Sequence, residues 1–330
     1  MAFSQIALEN FRRILYGVAF ALLSESAPAI AQDYPARPIT LIVPVATGGL
    51  TDTMGRLLGQ KLSSRIGQPV IIENRPGGGG ILAMQTARRA PADGYTLILV
   101  FPGAAAVNPI LHKPAPYDTL VDFAPVARIA SYPLVLIGNR EMPASATEFI
   151  TLARSKPGSL NYGSAGNTTT SHLAMELFKR QVGLDMAHIP FKGEAPALNE
   201  LLAGRLSVQF QTLTTALPHI RSGSVRPLGL ALGQRSKLAP ELPTLAESGI
   251  TGMDIPGWYA ILTPAGTPKA IVDRLNRELT AIVEEPETLA RFLTLGAVAW
   301  PSTPDELGAW IRSETDRWRV VITESGIKPD

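Results

Sequence analysis

No cysteine occurs anywhere in the 330 residues. That absence excludes disulfide frameworks, thiolate zinc sites, iron–sulfur clusters and cysteine nucleophiles together. An excess of one charge is lacking too. The 30 basic and 28 acidic residues are interspersed and leave a net charge of +2, so there is no basic stripe for nucleic acid or an anionic membrane. A polynucleotide partner is not expected. Only 18% of residues are charged while 45% are hydrophobic, so the chain can bury real cores and is not composed like a disordered polymer. Its length exceeds what one core usually serves, because chains beyond about 250 residues split into domains of about 100 to 200. Two domains are expected. Glycine and proline are plentiful, 29 and 28 residues, which implies many sharp turns.

Long apolar runs are also missing, except near the start. Residues 1–31 read as a secretory signal. Arg12 and Arg13 precede an apolar run from Ile14 to Leu23, and Ala29-Ile30-Ala31 supplies a small-x-small cleavage pattern. The run is half the roughly 20 residues a membrane span needs, so a cleaved leader and a periplasmic mature chain beginning at Gln32 are expected. The flanks Asn10-Phe11 and Ile14-Leu15 fit a twin-arginine signal poorly, which favours general secretion. Cleavage removes Arg12, Arg13, Glu9 and Glu25 and leaves the net charge unchanged.

From Ile39 to about Leu232, short β-rich runs alternate with helix-period segments, the signature of βα units and largely parallel sheets. The runs are Ile39-Val45, Val70-Glu73, Tyr95-Val100, Leu134-Ile137, Leu160-Gly163, Ala187-Pro190, Leu206-Gln211 and Leu228-Leu232. A helix near Thr51 to Ile66 puts Met54, Leu57, Leu58, Leu62 and Ile66 on one stripe. Ser145 with Glu148 forms a capping box ahead of a helix over Thr147–Arg154; Thr303, Pro304 and Glu306 open a terminal helix in the same way. That last helix carries Leu307, Trp310, Ile311, Trp318, Val321 and Ile322 on one face, so its tryptophans are read as core. After Leu232 a proline-rich stretch surrounds one apolar run, Trp258-Leu262, and the remainder is helical. The economical arrangement crosses to a second domain through Leu134-Asn139 and returns through Trp258-Leu262. Two crossings make a hinge. The expected domains are 32–138 with 262–330, and 139–261.

The most informative segment is Val43-Pro44-Val45-Ala46-Thr47-Gly48-Gly49-Leu50-Thr51-Asp52. A strand ends and a helix begins here, and Gly48-Gly49 lets the first-turn N–H groups face an anion. It is not a phosphate loop, since Gly55 is followed by Arg56 and Leu57 rather than Lys and Ser or Thr. A plain strand-to-helix turn is the competing reading. Gly77-Gly78-Gly79-Gly80 mimics a dinucleotide fingerprint, but Leu82 occupies the third glycine position, and the segment is read as a tight turn. Asn161-Tyr162-Gly163-Ser164-Ala165-Gly166-Asn167-Thr168-Thr169-Thr170-Ser171-His172 repeats the first loop's logic. A Ser164 nucleophile with a His172 base is a competing reading, although Tyr162 stands where a nucleophile elbow needs glycine. His172 with Glu176 lacks a third metal ligand at helical spacing. Lys192, in Pro190-Phe191-Lys192-Gly193, follows a strand and precedes a helix, a position from which an ammonium can reach an interdomain cleft; a solvated surface lysine is the competing reading.

These segments together resemble the Bug-type extracytoplasmic solute-binding receptors of the tripartite tricarboxylate transporter family. The likeness runs from about Tyr34 to Lys328. It rests on Tyr34-Pro35…Arg37-Pro38-Ile39, Gly48-Gly49…Asp52, Glu73-Asn74-Arg75-Pro76-Gly77, Asp93-Gly94-Tyr95-Thr96-Leu97 and Asp122-Phe123-Ala124-Pro125. Further on come Leu160-Asn161-Tyr162-Gly163-Ser164, Phe191-Lys192-Gly193, Ala216-Leu217-Pro218-His219-Ile220 and Pro264-Ala265-Gly266-Thr267-Pro268. The resemblance implies an α/β, type II-like periplasmic-binding-protein fold of two domains. Each domain is a mostly parallel sheet flanked by helices, and the pair closes on a small carboxylate. It implies a ligand held by main-chain amides, hydroxyls and ordered water. The expected contacts are Val45, Thr47, Gly48, Gly49 and Asp52; Phe101, Gly103 and Ala104; Ser164, Ala165, Thr168 and Thr169; Lys192 and Gly193; and Gln211 and Thr212. No catalytic residue, cofactor or metal is expected. The partner is a membrane permease complex or a signalling protein, and the receptor itself is expected to be monomeric.

Departures from the family's pattern point to the ligand. Val45 stands where the first loop commonly has Phe, Phe101-Pro102-Gly103-Ala104-Ala105 replaces a hydroxyl-bearing segment, and Asn167-Thr168 replaces a common Asn-Gly. Phe210-Gln211-Thr212 stands where Phe-Asp-Asn is common, so an acidic partner for a ligand ammonium is expected to be absent. A carboxylate with a bulky or aromatic body is the expected ligand, rather than a small amino-dicarboxylate.

Overall fold

Eleven strands among the described residues sort into two sheets, each flanked by helices. The computed structural model describes residues 34–191 and 193–325; the expected signal segment over 1–31, and Lys192, lie outside the described residues. The first sheet takes β1 (Ile39–Val43), β2 (Val70–Asn74), β3 (Thr96–Val100), β4 (Phe123–Tyr132), β10 (Gly257–Pro264) and β11 (Val298–Ala299) in the order β11-β4-β10-β3-β1-β2. The second takes β5 (Leu134–Gly138), β6 (Asn161–Ser164), β7 (Ala187–Pro190), β8 (Val208–Thr212) and β9 (Arg226–Leu230) in the order β7-β6-β8-β5-β9.

The principal helices are α1 (Leu50–Ile66), α2 (Ile81–Arg88), α3 (Ala146–Ser155), α4 (Thr170–Val182), α5 (Glu194–Leu202), α6 (Leu213–Arg221), α7 (Lys269–Glu284), α8 (Pro286–Leu295) and α9 (Pro304–Ser325). The Thr303/Glu306 capping box forms with both of its bonds, while at Ser145 only the N-cap bond is seen, its Oγ accepting from the Glu148 N–H at 3.2 Å. Met54, Leu58, Leu62 and Ile66 of α1 are buried as the stripe predicts, but Leu57 is only half-buried. Glycines on the same face let α1 lie close to the sheet, for a Cβ at Gly55 would stand 2.7 Å from Val43.

Parallel pairing holds within β2-β1-β3 and β7-β6-β8, but both sheets are mixed rather than mostly parallel. Strands that arrive from the opposite lobe, without a βα crossover, enter against the local direction. Thus β10 is antiparallel to β3 and β4, and β5 is antiparallel to β8 and β9. The passage between sheets is shorter than predicted: Pro133 alone separates β4 from β5, and the whole of Leu134–Gly138 pairs inside the second sheet.

Strand β4, ten residues long, has no counterpart among the predicted runs. Pro125 and Arg128 interrupt its apolar pattern. The sheet accommodates them with two register shifts against β10, one between Ile261 and Leu262 where Pro125 pairs. One core packs Ile42, Met84, Ile98, Trp258, Leu262 and Ile311 around the first sheet; a second gathers Val135, Ile137, Leu201, Leu213 and Leu230 around the other. Trp258 and Trp318 are core residues, and both indole N–H groups donate to the buried Glu314 carboxylate at 3.2 Å.

Candidate functional site

Four strands end where four helices begin, and the four helix starts meet on one cleft of about 810 Å³ between the sheets. From the first sheet, α1 contributes Gly48, Gly49, Leu50, Thr51 and Thr53. From the second, α4 contributes Thr169, Thr170 and Ser171, α5 contributes Gly193, Glu194 and Ala195, and α6 contributes Thr212, Thr214 and Thr215. The N-cap residues are Gly49, Thr169, Gly193 and Thr212, and none caps its helix through its own side chain. The first four N–H groups of a helix have no partner inside it, and the aligned peptide dipoles place about half a positive charge there. Four such ends facing one cavity suit it to an anion. No lysine, arginine or histidine is among the described residues that line it.

Two tyrosines tie these helix starts to the sheet. The Tyr259 hydroxyl pairs with Thr51 Oγ1 at 3.1 Å, and the Tyr132 hydroxyl pairs with Thr170 Oγ1 at 3.3 Å. Their rings meet at 5.2 Å between β10 and the end of β4. Burial pushes both phenols up, Tyr132 to about 12, so both remain protonated donors. Phe101, Leu134, Leu295 and Val45 supply the apolar wall.

One carboxylate lines the cleft. Glu194, the first residue of α5, accepts from Thr212 Oγ1 at 2.7 Å and from Gln211 Nε2 at 3.0 Å. Burial raises its pKa, and the Thr212 hydrogen bond opposes that rise. The predicted absence of an acid beside Gln211 is therefore corrected. Position 211 itself carries none, but the first turn of α5 delivers a carboxylate to its side-chain amide.

Of the sixteen residues expected from sequence, Val45, Gly48, Gly49, Phe101, Ala165, Thr169, Gly193 and Thr212 line the cleft. Thr47 is exposed outside it. Asp52 lies behind the loop, where its carboxylate accepts from the Gly48 N–H at 2.9 Å, Arg56 Nε at 3.0 Å and Asn74 Nδ2 at 2.8 Å. It fixes the loop and occupies the Gly48 amide. Gly103 and Ala104 are buried in a π-helical turn over Gly103–Val107, and Gln211 stands behind Glu194. Thr168 packs between the lobes: a Cβ on Gly103 would approach its carbonyl to 2.9 Å, and one on Gly79 would approach its hydroxyl to 3.2 Å. Lys192 is outside the described residues.

Ser164 is buried and off the cleft. Its Oγ pairs with His188 Nε2 at 2.7 Å and not with His172, whose Nδ1 accepts from the Thr168 N–H at 3.2 Å. His188 stacks between Tyr162 and His172, at 4.7 and 4.1 Å. Burial, with the charges of His172 and Lys179, lowers the His188 pKa to about 3, so that imidazole stays neutral. Glu176, paired with Tyr162 and Lys179, has no metal-binding company. No group of three candidate metal ligands occurs among the described residues.

Sequence reasoning missed Glu194, Thr214 and Thr215, all of which occupy first helical turns after strands. The rule applied to the first two loops would have found them. Tyr132, Leu134, Tyr259, Thr294 and Leu295 carry no local signal, since only the meeting of lobes brings them to the cleft.

Comparison with known proteins agrees with this geometry. The family model described as the tripartite tricarboxylate transporter family receptor matches residues 54–327. The protein BugT of Bordetella pertussis is 35% identical over 323 residues, 97% of this chain and 99% of that one. Among solved structures, an R. palustris protein with adipate superimposes with a TM-score of 0.80 at 34% identity, covering 90% of this chain and all of that one. MatC from Rhodopseudomonas palustris, with bound malate, gives a TM-score of 0.77 at 31% identity and covers 88% of this chain and 100% of that chain.

Proposed function

The chain belongs to the Bug-type receptors of the tripartite tricarboxylate transporter family, and from that premise we propose that it captures a small carboxylate in the periplasm by closing its two lobes. The convergence of four helix starts without side-chain caps on one cleft carries this reading. Such a site binds an anion through amides and hydroxyls. The adipate and malate seen in relatives at 34% and 31% identity support the same ligand class.

The hinge of this proposal runs through Pro133 and the start of β10, because β5 and β10 each pair wholly within one sheet. The first lobe is then 37–132 with 257–325, which moves the sequence-based crossing points by a few residues, and export depends on a leader cleaved after Ala31. The closed lobes, as a monomer, present a surface to a membrane permease or to a signalling protein. The finer reading is a ligand with a bulky body, aromatic ones included. Phe101, Leu134 and Leu295 favour apolar contact at about 25 cal/mol per Å² buried.

Thermal-shift screening of the mature chain tests both levels. A bound ligand at 100 times its Kd adds about 2.7 kcal/mol of stability. Stabilisation by bulky carboxylates supports the reading. A strong response to aspartate or glutamate but not to bulky carboxylates would remove the size preference, and no response to any carboxylate would remove the receptor assignment. Hydrolysis is disfavoured because Ser164 is buried, bonded to His188 and Gly166, and off the cleft. Turnover of an activated ester that Ser164→Ala abolishes would reverse that conclusion.

A further inference from the structure

Within the anion-binding cleft stands one feature that a plain carboxylate does not use. Glu194 lines the cavity, and each of its oxygens accepts one hydrogen bond, from Thr212 Oγ1 at 2.7 Å and from Gln211 Nε2 at 3.0 Å. A carboxylate offers about four lone-pair sites, so about two remain for a group inside the cavity. Glu194 forms no ion pair with a described residue, and among the described residues the phenols of Tyr132 and Tyr259 feel its charge. A half-buried carboxylate that makes no ion pair with a described residue is stabilised by a cation brought into the cavity. Burial raises its pKa while the Thr212 hydrogen bond opposes that rise, and a cation in the cavity would favour the ionised form.

Resting on the carboxylate-receptor reading, we infer that Glu194 is a specificity-determining residue that receives a ligand ammonium, so that the preferred ligands are aminocarboxylates. The ligand carboxylate takes the helix starts and its ammonium takes Glu194. A second ligand carboxylate at that position would meet like charge and would have to share a proton. An uncharged body would leave the glutamate unpaired. Thr212 and Gln211 hold the glutamate in place, which gives the Gln211-Thr212 pair its purpose.

Calorimetric titration of the whole mature protein at neutral pH tests the inference with matched probes. One series is hexanoate, 6-aminohexanoate and adipate; another is 3-phenylpropanoate and phenylalanine. In at least one series the ammonium-bearing probe is expected to bind 10-fold or more tighter than its counterpart lacking the ammonium. Glu194→Gln is expected to abolish that preference, weakening the ammonium-bearing probe and tightening adipate, and Glu194→Asp is expected to keep part of it. Circular dichroism and melting confirm that both variants fold. If carboxylates bind but the ammonium brings no gain, or the gain survives Glu194→Gln, the inference fails and the receptor reading stands. If no probe of either kind binds, both fail.

Discussion

A Cβ added to Gly296 would stand 1.8 Å from the Thr214 hydroxyl oxygen. Gly296 ends α8 on the first lobe, and Thr214 begins α6 on the second and lines the cleft. Backbone and side chain thus meet where the lobes close, and any side chain at 296 must hold them apart. Gly296→Ala is expected to weaken binding of a carboxylate 10-fold or more and to prevent the contraction that ligand produces in small-angle scattering. Gly296 also has φ +79°, so alanine there loses about 1 kcal/mol of stability in either state. Adding Thr214→Gly relieves the clash: affinity should recover in part, since a cleft hydroxyl is lost with it, while the stability loss remains or grows.

Thr168 is the one non-glycine residue among those described with a left-handed backbone, φ +62°. A β-branched residue in that conformation costs about 1 to 2 kcal/mol. Its N–H is held by His172 and its carbonyl lies against Gly103, so packing enforces the strain. Thr168→Gly removes the strain and adds backbone entropy to the unfolded chain. A net gain of about 0.5 to 1 kcal/mol is expected, seen as a higher urea midpoint at unchanged m. A loss of stability would show that the threonine's contacts outweigh its strain.

How much of this was legible in the sequence depended on whether the signal was local. The N-cap at Ser145, the capping box at Thr303 and the apolar stripe of α1 were readable because each is a short-range pattern with a physical cause. Strand β4 was not, since Pro125 and Arg128 read as breakers and only the shifted register with β10 accommodates them. The cleft divided in the same way. The Gly48-Gly49 and Thr169-Thr170 turns announced themselves, whereas Tyr132, Tyr259 and Leu295 reach the cavity through tertiary packing alone. Glu194 was hidden differently. The strand that carries Gln211 has no acid there, and the acid comes from α5 beside it in space.

Asp52 gives the stability a pH dependence of known sign. Burial tends to raise its pKa, but hydrogen bonds from Arg56, the Gly48 N–H and Asn74 outweigh burial and hold it below the usual aspartate value. A depressed folded-state pKa contributes stability that is present above the unfolded pKa of about 3.9 and is lost as pH falls through the folded value. Denaturation measured from pH 7 to pH 2.5 should therefore show a loss on the acid side that is smaller in Asp52→Asn, which should also be the less stable protein at pH 7. Equal acid slopes for the two proteins would exclude Asp52 as the source. Ligand affinity should fall too, since the freed Gly48 loop no longer holds the start of α1 in place.

Glu314 is the hub on which the core of the first lobe turns. It is 2% exposed, and its Oε2 accepts from Trp258 on β10 and from Trp318 on α9, each at 3.2 Å, while Arg317 sits 3.0 Å from Oε1. Glu314→Ala leaves two buried indole donors without an acceptor, at about 1 to 3 kcal/mol each, and opens a cavity. A loss of about 3 kcal/mol or more is expected from guanidinium unfolding followed by tryptophan fluorescence. Glu314→Gln retains a carbonyl acceptor and should lose less than half as much. That pair alone does not separate hydrogen bonding from packing, because the two variants differ in volume as well as in acceptor. Trp318→Phe in the Glu314→Ala background supplies the remaining comparison. If the hydrogen bond to that indole matters, the double variant should be less destabilised than the sum of the two single ones. Strict additivity would mean that the carboxylate serves the core by filling space.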